Sequence, residues 1–390
     1  MKTILVVFGG RSVEHDISII TGQVIIEALQ AASQYNVLPL YIARDGKWYS
    51  HPDLAKIETF KEANLSDKLA KLPQLADKSD DGLVLVETGR FGAKSQPIDL
   101  VFPAMHGTHG EDGSLMGLLK MAGVPFVGCD LAASAIAMDK VLCKQVTEAV
   151  GVPSVPYTWF TAHDYAKGQT EILKQIKKFT LPVFVKGVHL GSSIGVFRVN
   201  DWEELEDQIE VALHYDDKII VEQGIKQLVE INCAIIGNDE PTIGLLERPR
   251  GSEELLSFED KYISSGGTQG GGAKKTGEGI TEIPAQIPDK QAEEIRRLAR
   301  LAWHACGLSG ISRLDFMIDQ ADGKVYLTEI NPLPGTISQH IWRKSGVSSV
   351  DLVTRLVDYA EQRFAAQQKL TTTFNSSVLA NARGGKIVSS

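Results

Sequence analysis

Two short stretches near the C-terminal end, "GISRLDFMI" (310–318) and "VYLTEIN" (325–331), carry side chains able to hold a cation. Strand alternation puts Arg313 and Asp315 on one face, with Leu314 and Phe316 on the other. Glu329 and Asn331 likewise share a face. The intervening "DQADGK" reads as a turn, so Asp315 comes opposite or diagonal to Glu329. Two carboxylates facing across strands repel unless positive charge sits between them. With Asn331 they offer hard oxygen ligands, which suits Mg²⁺ bound jointly with phosphate. A solvated polar sheet face is the plainer alternative. Arg313 on the same face, and the breaker-rich "NPLPG" directly after, weigh toward a metal.

A second chemical stretch is "PVFVKGVHLGSSIGVFRV" (182–199). Lys186 ends one strand, and Gly187, Gly191, Ser192, Ser193 and Gly195 follow before the next begins. Backbone N–H groups in such a turn can surround an anion, with Lys186 as the point charge. No Gly-Lys-Ser/Thr and no helix follows, so this is a hairpin flap rather than a P-loop. Alone it reads equally well as an ordinary glycine-rich turn. Lys140 falls in the first turn of the helix in "MDKVLCKQVTEAVGVP", capped by Asp139, where the macrodipole disfavours a cation. A phosphate there would reverse that penalty; a solvent-facing lysine is the alternative. "GGRSVEHDIS" (9–18) and "FPAMHGTHGEDGS" (102–114) both follow strands, at the rim where α/β domains bind ligands. Glu14 there could hold a substrate ammonium group. His15 and His109 read as turn residues bonded to backbone.

The elements that must position these residues are an α/β layer followed by two antiparallel units. "TILVVFGG" is a continuous apolar run ending in glycine, the pattern of a buried parallel strand. A helix with Ile17, Ile20, Val24, Ile25 and Leu29 on one stripe follows, and strand and helix alternate to about residue 130. Residues 51–82 are the least structured part. A helix around 202–213, strands near 218–223, 229–236 and 241–247, and helices at "DKQAEEIRRLARLAWHACG" and near 349–365 come next. The division expected is 1–138, 139–223 with the flap, 224–365 with the metal site, and a flexible tail 366–390. The 390 residues carry a formal net charge of −9, which argues against nucleic acid as a partner. No apolar stretch approaches the ~20 residues of a membrane span. The four cysteines lack paired spacing and read as small buried hydrophobes, so a reducing, cytoplasmic setting is expected.

Taken in order, "GGRSVEHDIS", "HGTHGEDGS", "AMDK", "LGSSIG", "VEQG", "DKY" and "RLDF…EIN…PG" resemble the D-alanine–D-alanine ligase family of ATP-grasp enzymes, from residue 1 to about 365. The resemblance implies an α/β (α+β), three-domain architecture with ATP between two antiparallel-sheet domains. It implies that Lys140 and Lys186 bind ATP phosphates, Glu222 meets the adenine amino group and Glu230 the ribose, with Ser193, Gly224 and the lid's Lys261 also at the nucleotide. Asp315, Glu329 and Asn331 would hold two Mg²⁺ ions, or Mn²⁺ in their place. Glu14 and His106 belong to the first amino-acid subsite, which Ser192 and Tyr262 link to the lid. Arg313 and the backbone of Gly335 form the oxyanion site. The implied reaction joins two D-alanines for peptidoglycan through an acyl phosphate, in a homodimer.

Four departures bear on the substrate. Gly187 stands where the family has proline, which should loosen the flap. "NPLPG" replaces Asn-Thr-x-Pro-Gly, and Pro332 removes a backbone donor. His340 aligns with the family's serine for the second substrate's carboxylate, and the lid carries the extra run "SSGGTQGGGAKKTGEG" (264–279). The alternative is therefore the same chemistry on D-alanine with D-serine, D-lactate or another amino acid. Tyr262 matches the family members that make a dipeptide, so an amine is favoured as the second nucleophile. A dinucleotide oxidoreductase lacks its Gly-x-Gly-x-x-Gly spacing here.

Overall fold

The first strand decides the first layer. In β1 (Lys2–Gly9) residues Ile4 to Phe8 are all buried, as expected of a strand covered on both faces. It pairs in parallel with β2 (Tyr35–Ile42), which continues to the short β3 (Trp48–Tyr49), and on its other side with β4 (Leu100–Pro103). The loops after β1 and β4 therefore leave the same edge, where "GGRSVEHDIS" and "HGTHGEDGS" meet. The computed structural model describes residues 1–62, 65, 69, 78–79, 82–89, 92–191, 195–249, 281–372, 382–383 and 386–387. Within the stretch read as least structured, 63–64, 66–68, 70–77 and 80–81 lie outside these. A hairpin comes after it, Gly82–Gly89 against Gly92–Pro97, that the sequence reading lacked.

Helix α1 (His15–Ala31) departs from the stripe read from the sequence. Ile17, Ile25 and Leu29 are buried, but Ile20 is exposed and Val24 only half-buried, while Ile19 and Ile26 are buried instead. The helix is covered on two sides, by the sheet and by the C-terminal helices, so no single stripe describes it. A Cβ on Gly22 would lie 2.7 Å from the Phe8 ring, so the glycine is what lets α1 approach β1. Two short helices follow, α2 (Ser114–Met121) and α3 (Leu131–Met138). Next comes α4 (Lys140–Glu148), whose N-cap Asp139 accepts from the N–H groups of Val141 and Leu142, both at 2.9 Å.

The central sheet is antiparallel, in the order β7 (Val196–Val199), β6 (Val183–Gly187), β8 (Lys218–Gln223), β5 (Tyr157–Thr161). Val183, Val185, Ile219 and Val221 face one core, with α5 (Ala162–Ile176) and α6 (Leu205–Ala212) contributing to it. Phe184, Lys186, Ile220 and Glu222 face the other way, toward α4. The third sheet, also antiparallel, has β9 (Leu228–Gly237) at its middle, between β10 (Thr242–Ile243) and β11 (Gly310–Asp319), with β12 (Val325–Asn331) beyond β11. Its core is closed by α7 (Asp289–Ala305), while α8 (Gln339–Lys344) and α9 (Ser349–Gln367) pack against the N-terminal layer. The strand expected over 241–247 shrinks to two residues plus an isolated Asn232–Glu247 bridge. The helix expected to end near 365 runs to Gln367, and beyond it Ala382–Arg383 pairs with Lys386–Ile387. The four cysteines are buried and unbridged, as read. Among the described residues no helix is long and apolar enough to cross a membrane.

Candidate active site

The carboxylate row meets the sequence expectation and extends it. Asp315 pairs directly with Glu329, and Arg313 with Asn331. The register slips between Asp315 and Phe316, so Thr328 is an extra residue whose hydroxyl donates to the Asp315 carbonyl at 2.6 Å. This bulge resets the alternation: Val325 and Leu327 point into the core, then Ile330 takes over, leaving Glu329 and Asn331 on the cleft face. Arg313 grips Asp315 with two hydrogen bonds, 2.7 and 2.8 Å, and the Asn331 amide donates to Asp315 at 2.9 Å. The row continues on the far side. Asn232 lies opposite Asp315 and donates to Glu247 at 2.9 Å, and His340 Nε2 is 2.8 Å from the other Glu247 oxygen. Burial would raise the Glu247 carboxyl, but His340, Asn232 and the more distant Arg313 outweigh it and hold it low.

Across the cleft stands a lysine wall. Glu222, buried, receives Lys186 at 2.6 Å on one oxygen and Lys144 at 2.7 Å on the other. Lys186 and Glu222 are diagonal neighbours on one sheet face, since Lys186 lies opposite Ile220 and Glu222 opposite Phe184. Lys144 comes from α4, one turn after Lys140. Burial works against the charged forms. The two lysines nonetheless hold Glu222 well below the usual carboxylate range, and Glu222, with Glu329 and Glu230 further off, raises Lys186. Lys140 does not face solvent. Its ammonium donates to the Leu190 carbonyl and lies 3.9 Å from Glu329, so one side chain spans flap root and carboxylate row.

The N-terminal rim closes the end of the cleft. Glu14 is buried at the start of α1, and a Cβ on Gly107 or Gly191 would fall 2.7 or 2.9 Å from its Oε2. Both loops thus close on one carboxylate because they carry glycine there. His106, also buried, has Nε2 2.8 Å from the Thr21 hydroxyl and Nδ1 3.7 Å from Glu111. Burial pulls its pKa down, but Glu111 and then Glu14 more than offset this, and the net direction is up. The Thr21 hydroxyl also accepts from the Thr336 N–H at 3.0 Å, tying the rim to the loop after Gly335. There Thr336, Ile337 and Ser338 all hold positive φ (48°, 50°, 48°), a left-handed turn unusual for residues with side chains. Such strain clusters at functional sites.

An open cleft of about 650 Å³ joins these parts, lined among others by Glu14, His106, Lys140, Arg313, Glu329 and Gly335. Lys186, Glu222 and His340 are not among its lining residues; His340 lies against Glu247. Glu230, on β9, lies opposite Met317, and Gly224 donates to the Pro182 carbonyl at 2.8 Å. Ser192, Ser193, Lys261, Tyr262 and the 264–279 run lie outside the described residues. His15 bonds to backbone, Nδ1 2.6 Å from the Gly10 carbonyl, but it opens α1 rather than sitting in a turn, and exposed His109 donates its N–H to Asp112. The sequence reading missed Lys144, Glu247, Asn232 and Thr21. Only Lys144 had a signal, its four-residue spacing from Lys140 on one helix face.

Two antiparallel sheets facing across a charged cleft, with a parallel layer at one end, define the ATP-grasp fold. The D-alanine-D-alanine ligase from Coxiella burnetii superposes with a TM-score of 0.77 at 29% identity, covering 94% of this chain and 96% of that one. The VanG D-Ala:D-Ser ligase from Enterococcus faecalis gives 0.72 at 27%, covering 92% and 99%. The class is that of ATP-dependent ligases. Residues 3–129 match the family model "D-ala D-ala ligase N-terminus" and 146–358 "D-ala D-ala ligase C-terminus". The D-alanine--D-alanine ligase of Acetivibrio thermocellus is 34% identical over 377 residues, 93% of this chain and 96% of the relative. The chain belongs to the D-alanine–D-alanine ligase family.

Proposed function

We propose that this ligase joins two molecules of D-alanine, releasing ADP and phosphate, to supply the dipeptide of peptidoglycan. The observation that carries the reading is the placement of Glu14 and Arg313 in one cleft whose sides are Lys140 and Glu329. Glu14 takes the ammonium group of the first amino acid, with His106 beside it. That amino acid's carboxylate then points toward Arg313 and the Gly335 N–H. Lys140 and Lys186 take the ATP phosphates, Glu222 the adenine amino group and Glu230 the ribose, with Gly224, Ser193 and Lys261 alongside. Ser192 and Tyr262 close over the first substrate. His340, oriented by Glu247, faces the second substrate's carboxylate.

A carboxylate oxygen of the first D-alanine attacks the γ-phosphorus and ADP departs. The amine of the second, having lost a proton, attacks the acyl carbon. A C–N bond forms, the C–O bond to phosphate breaks, and inorganic phosphate leaves. Arg313 and the Gly335 N–H stabilise the tetrahedral oxyanion, where one lost donor commonly costs ~10²–10³ in rate. Asp315, Glu329 and Asn331 fit two Mg²⁺ ions, or Mn²⁺: their oxygens are hard donors on one sheet face, and Arg313 and Lys140 already bring positive charge there. When bound, Mg²⁺ would neutralise charge on the transferred phosphoryl group. The family resemblance also supports a homodimer acting in the cytoplasm; light scattering tests the former.

The test is ADP release across D- and L-amino acids, alone and in pairs, with mass spectrometry of the product. D-alanine alone should suffice and yield the D-alanyl dipeptide. Stimulation by L-amino acids only, or a mixed product formed in preference, overturns the reading.

A further inference from the structure

His189 sits at the root of the flap, three residues after Lys186. Its backbone N–H donates to Asp216 Oδ2 at 2.6 Å, its ring Nδ1 lies 3.0 Å from Asp216 Oδ1, and its Nε2 lies 3.4 Å from Asp139 Oδ2. Asp139 is also the N-cap of α4 and accepts from the Lys218 ammonium at 2.7 Å. Two further ties run beside the imidazole: the Lys140 N–H donates to the Val188 carbonyl at 3.3 Å, and its ammonium to the Leu190 carbonyl. Gly187 belongs to the same arrangement. A Cβ there would meet Asp216 Cβ at 2.9 Å and Leu190 Cδ1 at 2.6 Å. The glycine therefore lets Asp216 come close enough to take the imidazole, and the described root of the flap is tied rather than loosened by it.

We propose that His189 is a positioning residue for ATP: by bridging Asp139 and Asp216 it fixes the spacing between the strand end carrying Lys186 and the helix start carrying Lys140. The inference rests on those lysines taking the phosphates. The ring faces a carboxylate with each nitrogen, and only its charged form can donate to both at once. Asp139, then Asp216, raise the His189 pKa to about 9 against the opposing effect of burial. The charged and titratable groups around it are Asp139 at the α4 cap, Lys218 on β8, and Asp216 with Asp217 in the turn before β8. Because the pKa is raised, the bridge is complete below the ordinary histidine value of 6.5 and is lost as pH rises through about 9. His189, Asp216 and Asp217 could also be read as cation ligands, their ligand atoms lying within 4.8 Å of one another. An imidazolium with both nitrogens donating leaves no lone pair for a metal.

The test compares wild type, His189→Gln and His189→Arg in full-length enzyme. His189→Gln should weaken ATP, raising KM about fivefold to twentyfold with kcat within about twofold, since a small misplacement of positioning groups is costly. It should also abolish the alkaline fall of kcat/KM for ATP near pH 9, whereas His189→Arg, keeping a cation, should restore most of the affinity. Unchanged KM in His189→Gln, an alkaline limb that persists in it, or zinc binding that needs His189, overturns the proposal. If wild type releases no ADP with D-alanine, the substrate assignment fails instead. Calorimetric titration with a non-hydrolysable ATP analogue then decides His189 by the same fold-change in Kd.

Discussion

The two walls of the cleft balance charge in opposite ways. On the acidic wall, Asp315 and Glu329 remain 16% and 33% exposed, and their counter-charges are Arg313, from Asp315's own strand, and Lys140, from across the cleft. On the lysine wall, Lys144 and Glu222 are 2% and 5% exposed and bind each other directly. A wet carboxylate can exchange one cation for another at little cost. A sealed pair cannot, because removing one partner strands the other charge in a low dielectric. The acidic wall is therefore suited to exchanging cations and the Lys144–Glu222 pair to holding its own wall in place, and substitutions should separate the two.

The largest effect belongs to the acidic wall. Glu329→Gln should lower kcat by about 10³-fold or more while the circular dichroism spectrum and melting temperature stay near wild type. Undiminished turnover would remove Glu329 from the site. On the lysine wall the order reverses. Lys144→Met should cost about 3–5 kcal/mol in urea unfolding, because it leaves Glu222 with a single partner. The double variant Lys144→Met/Glu222→Gln should lose less than the sum of its parts. The pH dependence has a definite sign. Glu222 is depressed by Lys144 and Lys186 despite burial, so its contribution is present above the ordinary carboxylate value of 4.5 and lost as pH falls through the depressed one. Glu222→Gln should therefore flatten acid unfolding measured by fluorescence. A smaller effect, about 1–2 kcal/mol with a raised KM for the amino acid, is expected of Thr21→Val, which deprives His106 and the Thr336 N–H of one shared oxygen.

The same contrast explains what could be read from the chain. The acidic wall is written in strand alternation: Arg313 with Asp315, and Glu329 with Asn331, sit two residues apart on paired strands, so a period of two finds them. Even there the Thr328 bulge was invisible, although the break in "VYLTEIN", where Leu327 is followed by Ile330 as the next buried residue, is its trace. The lysine wall is assembled from a helix and two strands. Nothing local says that Lys144 reaches Glu222, 78 positions on, or that Glu247 lies beneath His340. The α1 stripe failed for a related reason, since covering by α9 is a tertiary fact and Ile20 ended on the one side left open. The departure at Gly187 was visible, but its meaning was not, because that depends on Asp216 across the turn.

The turn after Gly335 offers the finest division between strain and packing. Thr336, Ile337 and Ser338 each hold a left-handed backbone that costs an L-residue about 1–2 kcal/mol. Ile337 is fully buried in the core shared by α1, α8 and α9, which compensates its strain, whereas half-buried Thr336 is held mainly by its N–H bond to Thr21. Thr336→Gly should remove strain while adding chain entropy to the unfolded state, a net change under about 1 kcal/mol. Ile337→Gly should cost more than about 2 kcal/mol through the lost side chain. If the left-handed turn exists to aim the Gly335 N–H at the reacting carbonyl, Thr336→Gly should lower kcat/KM about fivefold to tenfold with its melting temperature unmoved. Full activity in that variant would assign the strain to packing, and set this loop with the lysine wall rather than the acidic one.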